Sequence, residues 1–327
     1  MRNTFVGIDI AKAELVACLI AGEGVKPRTK TFKNTACGHR ALVTWATKGS
    51  SPEEVHFCME ATGCYHMDVA TFLAEQRVFV SVVEPRRIKH FGVGMGLKNK
   101  TDKADSFVIA RYAQVQKPSA WHLVDPIRRQ IDCLSRRMRQ LSKARNQESN
   151  RLQNTRLHEL VVSQIHENIK RFQEQEAAIS KEILKLLSEA PKLKKLTDVL
   201  QRVKGIGVKT AIAFACLIDP DQFESAKQVA VFAGLNPVLR QSGTINRKTS
   251  ISKAGQSGFR SAFYFPTIIA MKSLQPLSEL ARRLKQKGLK PKQVIAACMR
   301  KLLMICYGIA KNLTRGLEVY NVPQPKT

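Results

Sequence analysis

Phe5-Val6-Gly7-Ile8-Asp9-Ile10 is the stretch that decides how the first part of this chain folds. It is an apolar run of strand length with one carboxylate inside it, and it reads as a buried strand. A charge in such a place is costly unless something compensates it. Asp9 is therefore the residue hardest to explain by packing alone. Leu15 to Ile20 follows closely enough to be a hairpin partner, and Thr29 to Lys33 reads as a third, short strand. A helix is expected from Gly38 to Thr47, a strand over Val55-His56-Phe57-Cys58-Met59-Glu60, a helix across Tyr65 to Gln76, and a strand over Val78 to Val83 that stops at Glu84-Pro85. Strands first in hairpins and then interleaved with helices predict an α/β layer with a mixed sheet.

Gly92-Val93-Gly94-Met95-Gly96 lacks the lysine and the Ser/Thr of a phosphate-cradling loop, so it reads as a flexible loop. Thr101 or Asp102 then caps a helix running to about Gln116. Glu60 closes an apolar strand, and Asp102 and Asp105, three apart, share one helix face. If Asp9 and Glu60 lie on adjacent strands with that helix beside them, four carboxylates converge and repel one another. Hard oxygen ligands of this kind suit Mg²⁺ or Mn²⁺. Two such ions, about 3.5–4 Å apart, would serve phosphoryl transfer. Packing supplies an alternative for three of the four: Asp102 as an N-cap, Asp105 as a solvated helix residue, Glu60 as a strand-end charge. An actin-like kinase also places an aspartate on its first strand, but no second phosphate loop accompanies this one.

The chain has 327 residues, 54 Lys and Arg against 26 Asp and Glu, and a formal charge of +28. A protein so basic repels itself unless it meets a polyanion. The excess is uneven: residues 201–327 hold 21 basic and 5 acidic side chains, which marks the last third as the phosphate-gripping surface. No uncharged run approaches the roughly 18–20 apolar residues of a membrane span, and the N-terminus lacks a signal-peptide core. These readings predict a cytoplasmic protein with no membrane partner. The eight cysteines form no C-x-x-C pair and the seven histidines show no H-x-x-x-H spacing. Zinc sites and disulfides are not expected, and buried reduced thiols are.

Between 128 and 190 the character changes. Ile131, Leu134, Met138 and Leu141 recur at helical spacing, as do Ile165, Ile169, Phe172, Ile179, Ile183 and Leu186, with Glu176 interrupting. Narrow stripes on otherwise polar helices predict a hairpin or coiled coil, or two core-facing helices of one bundle. From Leu196 onward the pattern is helical with glycine punctuation. Gly205-Ile206-Gly207 between two helical stretches has the look of a helix–hairpin–helix turn. There, Gly205 and Gly207 with Lys204 and Lys209 would meet a phosphate, or would form an ordinary tight turn. Gln241-Ser242-Gly243 follows Arg240 and precedes Arg247 and Lys248; by composition a serine before glycine is most often a turn residue. Trp45, Trp121 and the group Phe259, Phe263, Tyr264 and Phe265 read as packing residues. Direct base readout is not evident.

Val6-Gly7-Ile8-Asp9-Ile10-Ala11-Lys12, Met59-Glu60-Ala61-Thr62-Gly63 and Asn99-Lys100-Thr101-Asp102-Lys103-Ala104-Asp105 together resemble the DEDD motif of Piv-type recombinases and insertion-sequence transposases. The resemblance continues through Gly205-Ile206-Gly207, Phe232-Ala233-Gly234-Leu235-Asn236-Pro237, Gln241-Ser242-Gly243 and Ser252-Lys253-Ala254-Gly255. It implies a RuvC-like domain of the ribonuclease H fold at 1–120, a helical hairpin or coiled coil at 121–195, and an all-helical serine-bearing domain at 196–327. It implies Asp9, Glu60, Asp102 and Asp105 as metal ligands and catalytic residues, and Ser242 as the nucleophile on DNA. Ser250, Ser252 and Ser257 are competing hydroxyls, and Gly258-Phe259-Arg260 departs from the Leu-Arg step familiar at that place. Arg240, Arg247, Lys248 and Lys253 would hold nucleic acid. A structured noncoding bridge RNA would supply sequence specificity, and a homo-oligomer, dimer or tetramer, would bring two duplexes together. The rival readings are a junction nuclease that uses water and a non-catalytic nucleic-acid scaffold.

Overall fold

The structure, a computed structural model, describes residues 3–22, 24–61, 63, 65–96, 101–123, 125–154, 156–242, 245–253, 255 and 257–317; for 239–242 and 245–249 it describes the backbone. The chain divides into two compact units, residues 1–123 and 124–327.

In the first unit the order is β1 (Thr4–Ile10), β2 (Glu14–Ala21), β3 (Arg28–Lys33), α1 (Ala36–Ala46), β4 (Val55–Glu60), α2 (His66–Glu75), β5 (Phe79–Val83), α3 (Pro85–Gly94) and α4 (Asp102–Gln116). The strands form one mixed sheet in the order β3-β2-β1-β4-β5. β1 pairs antiparallel with β2 and parallel with β4, in the register Gly7↔Cys58 and Ile8↔Met59. The expected α/β layer is present, and every strand read from the sequence is there.

Alternation along the central strands sorts their side chains onto two faces. Val6, Ile8 and Ile10 join Val55, Phe57 and Met59 in a core with Leu42, Val69 and Leu73 of α1 and α2. Phe5 and Cys58 pack on the other side with Ile88 of α3 and Val108, Ile109 and Tyr112 of α4. Gly7, on that second face, is where α4 lies against the sheet. A Cβ there would stand 2.1 Å from the Ala110 nitrogen and 2.2 Å from the Ser106 carbonyl oxygen. Only glycine admits a helix backbone that close.

The stretch expected as a glycine loop proves to be partly helix, since α3 continues to Gly94. Pro85 starts this helix at its first turn, where a missing N–H costs nothing. A Cβ on Gly92 would make an ordinary contact with Val108 of α4, at 3.4 Å. α4 begins as expected, its Thr101 side chain accepting from the Ala104 N–H.

The second unit opens with two long helices, α5 (Pro126–Arg151) and α6 (Glu159–Glu189). Glu176, which breaks the stripe of α6, accepts the Ser142 hydroxyl at 2.6 Å and pairs with Arg145 at 3.3 Å, so two groups of α5 satisfy it. There follow α7 (Pro191–Gln201), α8 (Val208–Leu217), α9 (Ala226–Phe232), β6 (Pro237–Ser242), β7 (Ile245–Ile251), α10 (Ser257–Ser273), α11 (Gln275–Gln286) and α12 (Pro291–Thr314). Ile131, Met138 and Ile183 share one core with Leu200, Phe214, Phe263 and Leu302. The hairpin and the later helices, expected as separate domains, therefore belong to one unit.

The expectation of an all-helical final part is corrected by the β6–β7 hairpin. Asn236-Pro237 bars a helix, and β-branched Ile245, Thr249 and Ile251 favour extended chain. Two further expectations change. Cys37 and Cys133 are exposed, not buried, and Cys64 lies outside the described residues. α12 is the one helix among the described residues long and apolar enough to cross a membrane. Its Val294, Cys298, Leu302, Leu303 and Cys306 are fully spent on the core of the unit.

Candidate active site

Asp9 lies two residues beyond Gly7 on the same face of β1, the face that α4 covers. Glu60, the last residue of β4, shares that face with Cys58 by alternation. Both carboxylates therefore stand at the ends of neighbouring parallel strands. α4, seated on Gly7 through Ser106 and Ala110, brings Asp102 and Asp105 of its first turn toward them. The electrostatics register this convergence. Burial pushes Asp9 up, Asp105, Asp102 and Glu60 push it further in that order, and its carboxyl reaches about 6 against the Ile10 N–H, which opposes the shift. Among the described residues, no basic side chain forms an ion pair with Asp9, Asp102 or Asp105. The four groups that the sequence singled out are thus brought within electrostatic reach of one another. Among the described residues, no three acidic, histidine or cysteine side chains are gathered tightly enough to ligate one ion as they stand.

Asn34 is a positioning residue that sequence reasoning missed. Its amide donates to the Ala11 carbonyl at 3.1 Å and to the Tyr65 carbonyl at 3.4 Å, and its oxygen meets His39 Nε2 at 2.8 Å. It ties the chain leaving Asp9 to the chain leaving Glu60. Its place just before the capping Thr35 gave no signal beyond that of a cap residue.

In the second unit the residues of interest stand on the β6–β7 hairpin and its root. Arg240 is paired with Arg247 across the strands and Ser242 with Ile245, so Ser242 closes β6 beside the turn; Lys248 lies on β7. The root is bolted from several sides. The Ser252 N–H donates to the Asn236 carbonyl at 3.0 Å and the Lys253 N–H to the Gly234 carbonyl at 3.1 Å. The Ser252 hydroxyl reaches Asn236 Oδ1 at 2.7 Å, which occupies one of the competing hydroxyls. Gly255, at φ +84°, lies against the Phe232 carbonyl, where a Cβ would collide at 2.1 Å. Arg260 donates to the Ala233 carbonyl at 3.2 Å and the Gly255 carbonyl at 3.0 Å. The strings at 232–237 and 252–255, with Arg260, are thus the two halves of one mount.

The turn between α7 and α8 divides in its roles. Gly205, at φ +94°, packs on α10, where a Cβ would meet the Pro266 carbonyl oxygen at 2.6 Å. Helix packing by itself accounts for a glycine there. Gly207 has open space around it and caps α8, and Lys209 is exposed while Lys204 is half-buried. Of the aromatic group, Phe259 and Phe263 are buried as expected, but Phe265 is 71% exposed. Helical spacing identified the face of α10 without telling which residues at its edge turn outward.

Two family models described as transposases cover this arrangement. One, of the IS110 DEDD type, matches residues 6–160, and the other, described as the transposase IS116/IS110/IS902 family, matches residues 197–282. The pilin gene-inverting protein of Moraxella bovis is 32% identical over 319 residues, covering 95% of this chain and 97% of that protein. That of Moraxella lacunata matches with the same identity and coverage. The putative transposase y4qE of Sinorhizobium fredii is 23% identical over 349 residues, covering 95% of this chain and 87% of that protein. The chain belongs to the IS110 family of transposases. It is accordingly a transposase of the insertion-element type, an enzyme acting on DNA.

A DEDD-type IS110 transposase points to dependence on a divalent metal. The donor set fits such an ion in kind: hard carboxylate oxygens, three of them half-buried and Asp102 exposed, that together raise the Asp9 carboxyl. The shift of Asp9 carries a sign that can be measured. In the unfolded chain its carboxyl titrates near 3.8, in the folded one near 6. Between those values the folded state holds the proton more tightly, so stability falls as pH rises through this window. Without divalent cations, the Tm of this transposase is expected to drop relative to that of Asp9→Asn as pH goes from 4 to 7. Added Mg²⁺ should close the gap at pH 7 and do little at pH 4. Parallel Tm–pH curves for the two proteins would refute the assignment.

Proposed function

We propose that this transposase cuts and rejoins DNA through Ser242, with Asp9, Glu60, Asp102 and Asp105 holding Mg²⁺ or Mn²⁺ beside the scissile phosphate. The observation that supports it most is the elevated carboxyl of Asp9, held near 6 by burial and three carboxylates of β4 and α4. Such a cluster is a standing cost to the fold that a cation would offset. When bound, the ion would neutralise charge on the phosphate oxygens and favour attack at phosphorus.

The Ser242 oxygen attacks phosphorus, the bond from phosphorus to one deoxyribose oxygen breaks, and the proton given up by the serine ends on that leaving oxygen. The phosphoserine link conserves the energy of the phosphodiester, so no ATP is consumed. A deoxyribose hydroxyl of the exchanged strand then attacks the same phosphorus, and the serine leaves with the proton. Arg240 and Arg247 hold paired backbone positions on β6 and β7, and two cations at paired positions would suit an incoming phosphate. Gly207 and Lys209 at the start of α8, and Lys204, Lys248 and Lys253, would hold the backbone without reading sequence. Gly205 keeps its packing role.

The acidic cluster belongs to the first unit and Ser242 to the second. Dimers or tetramers would supply the two duplexes, with the hairpin of 121–195 as the contact between copies. A noncoding guide RNA, which the resemblance to bridge-RNA-guided recombinases implies, is proposed as the source of sequence choice; the strong positive charge suits a polyanion partner. The enzyme would work where the DNA is, in the cytoplasm of a prokaryote.

Radiolabelled element-end DNA incubated with Mg²⁺ and resolved under denaturing conditions tests the nucleophile. A protein–DNA adduct is expected, and Ser242→Ala should remove it together with strand cleavage, by about 10³-fold or more. Cleaved DNA without any adduct would assign the attack to water instead.

A further inference from the structure

Beside the root of the β6–β7 hairpin runs a groove of about 580 Å³, between the outer face of α10 and the first turns of α12. Its lining is largely apolar, with Ile251 at the end of β7 and Ile295, Ala296 and Met299 of α12, while Ser257, Arg260 and Ser261 add polar groups on the α10 side. Two aromatic rings stand in it. Tyr264 and Phe265 meet edge to face, with centroids 5.4 Å apart and planes at 88°. Phe265 leaves 71% of its surface in water. A side chain of that size loses free energy of hydration when left uncovered, and packing within this unit does not cover it. The rim is cationic. Lys253 lines one side and Lys292 the other, both exposed. Neither belongs to an ion pair among the described residues. Among the described residues, none that lines the groove is acidic.

We infer that this groove holds an unpaired nucleotide of the DNA strand that the Ser242 hairpin handles, with its base against Phe265 and Tyr264 and its phosphates between Lys253 and Lys292. The inference rests on the proposed role of Ser242. The chemistry is that of single-strand binding: an aromatic face on which any base can stack, flanked by cations for the backbone. A base in a duplex has both faces covered by its neighbours, so a ring standing out of a groove selects unpaired bases. The volume lies within the range of sites that enclose small molecules, about 300–1,000 Å³, and suits a base with its sugar rather than a duplex. Position favours DNA as the occupant. Ile251 and Lys253 are the last residue of β7 and the second after it, on the strand that returns from Ser242. A strand engaged by the hairpin and opened there would leave along this wall.

The test uses the full chain and fluorescence anisotropy with three labelled probes of one sequence: single-stranded DNA, the same DNA as a duplex, and the corresponding single-stranded RNA. Phe265→Ala is expected to weaken the single-stranded DNA probe by roughly 5- to 150-fold, the range of one base–aromatic stack, and the duplex by less than about twofold. Phe265→Trp should restore binding, and Lys292→Ala should weaken the single strand and flatten its salt dependence. A probe carrying 5-iododeoxyuridine should crosslink to the peptide that contains Tyr264 and Phe265. Equal loss on duplex and single strand would overturn the inference. So would loss confined to RNA, or no loss at all. Ser242→Ala separates this inference from the reading it rests on. The crosslink surviving in a protein that still forms its covalent adduct with Ser242 replaced removes the serine chemistry and leaves the groove standing. A serine-dependent adduct without the crosslink removes the groove alone.

Discussion

Asp9→Asn is expected to lower strand cleavage by about 10³-fold or more while raising the melting temperature of the protein. The two effects have one origin. At neutral pH Asp9 is a charge in a half-buried place, facing Asp105, Asp102 and Glu60. Asparagine keeps the shape and can still accept the Ile10 N–H, but it removes the charge. Stability should rise by about 1 kcal/mol, the shift being discounted for the part of the side chain that water still screens. Activity should collapse, because a neutral amide is a poor ligand for a hard divalent ion and leaves the phosphate charge uncompensated. A purely structural aspartate predicts the opposite pairing, with lost stability and little change in cleavage. Thermal melts and a cleavage assay on the same preparations decide between them. A variant that is both less stable and fully active would remove Asp9 from the chemistry.

Gly7→Val is expected to unfold the first unit. A valine Cβ would stand 2.1 Å from the Ala110 nitrogen and 2.2 Å from the Ser106 carbonyl oxygen, both atoms of the α4 backbone. No rotamer change relieves a collision with main chain, so α4 must lift off β1. Its buried residues Val108, Ile109, Tyr112 and Ala113 would lose their packing against Phe5 and Cys58. The cost is several kcal/mol, on the order of 3–5, a large share of the stability of a unit this size. Hydrogen exchange should show loss of protection across β1 and α4, with amides of α8 and α12 retaining theirs. Gly7→Ala is the milder companion, since its single methyl meets the same two atoms and should already lower the Tm. A Gly7→Val protein with native protection in α4 would contradict the contact described above.

Much of the first unit is legible in the sequence because its signals are local. Phe5–Ile10 and Val55–Glu60 carry their own apolar runs, and Thr101 sits where a cap belongs. The carboxylates drew notice because a charge inside an apolar strand contradicts its surroundings. What escaped reading depends on contacts distant in the chain. Gly7 is a glycine because α4 lies against it, and nothing within several residues of it reveals that. The β6–β7 hairpin escaped because its residues, Arg240 to Thr249, are polar at nearly every position and show no period-2 apolar pattern. It is held by bonds between Asn236 and Ser252, sixteen residues apart. Periodicity does not place Phe265, because it groups residues by angle around a helix without fixing where the covered arc ends. The departure at Gly258-Phe259-Arg260 proved readable only in three dimensions, where Arg260 joins the two carbonyls that lock the hairpin root.

That bolted root makes the hairpin a lever. Six residues of β6 span about 20 Å at roughly 3.3 Å each, so a tilt of about 3° at Ser252 and Gly255 swings the far end by about 1 Å. A misplacement of that size already costs on the order of 10² in rate for a group that must meet a reacting atom. On the proposed role of Ser242, the precision demanded of the serine is set less where it sits than at its pivot, where Ser252, Gly255 and Arg260 fix the angle of the hairpin.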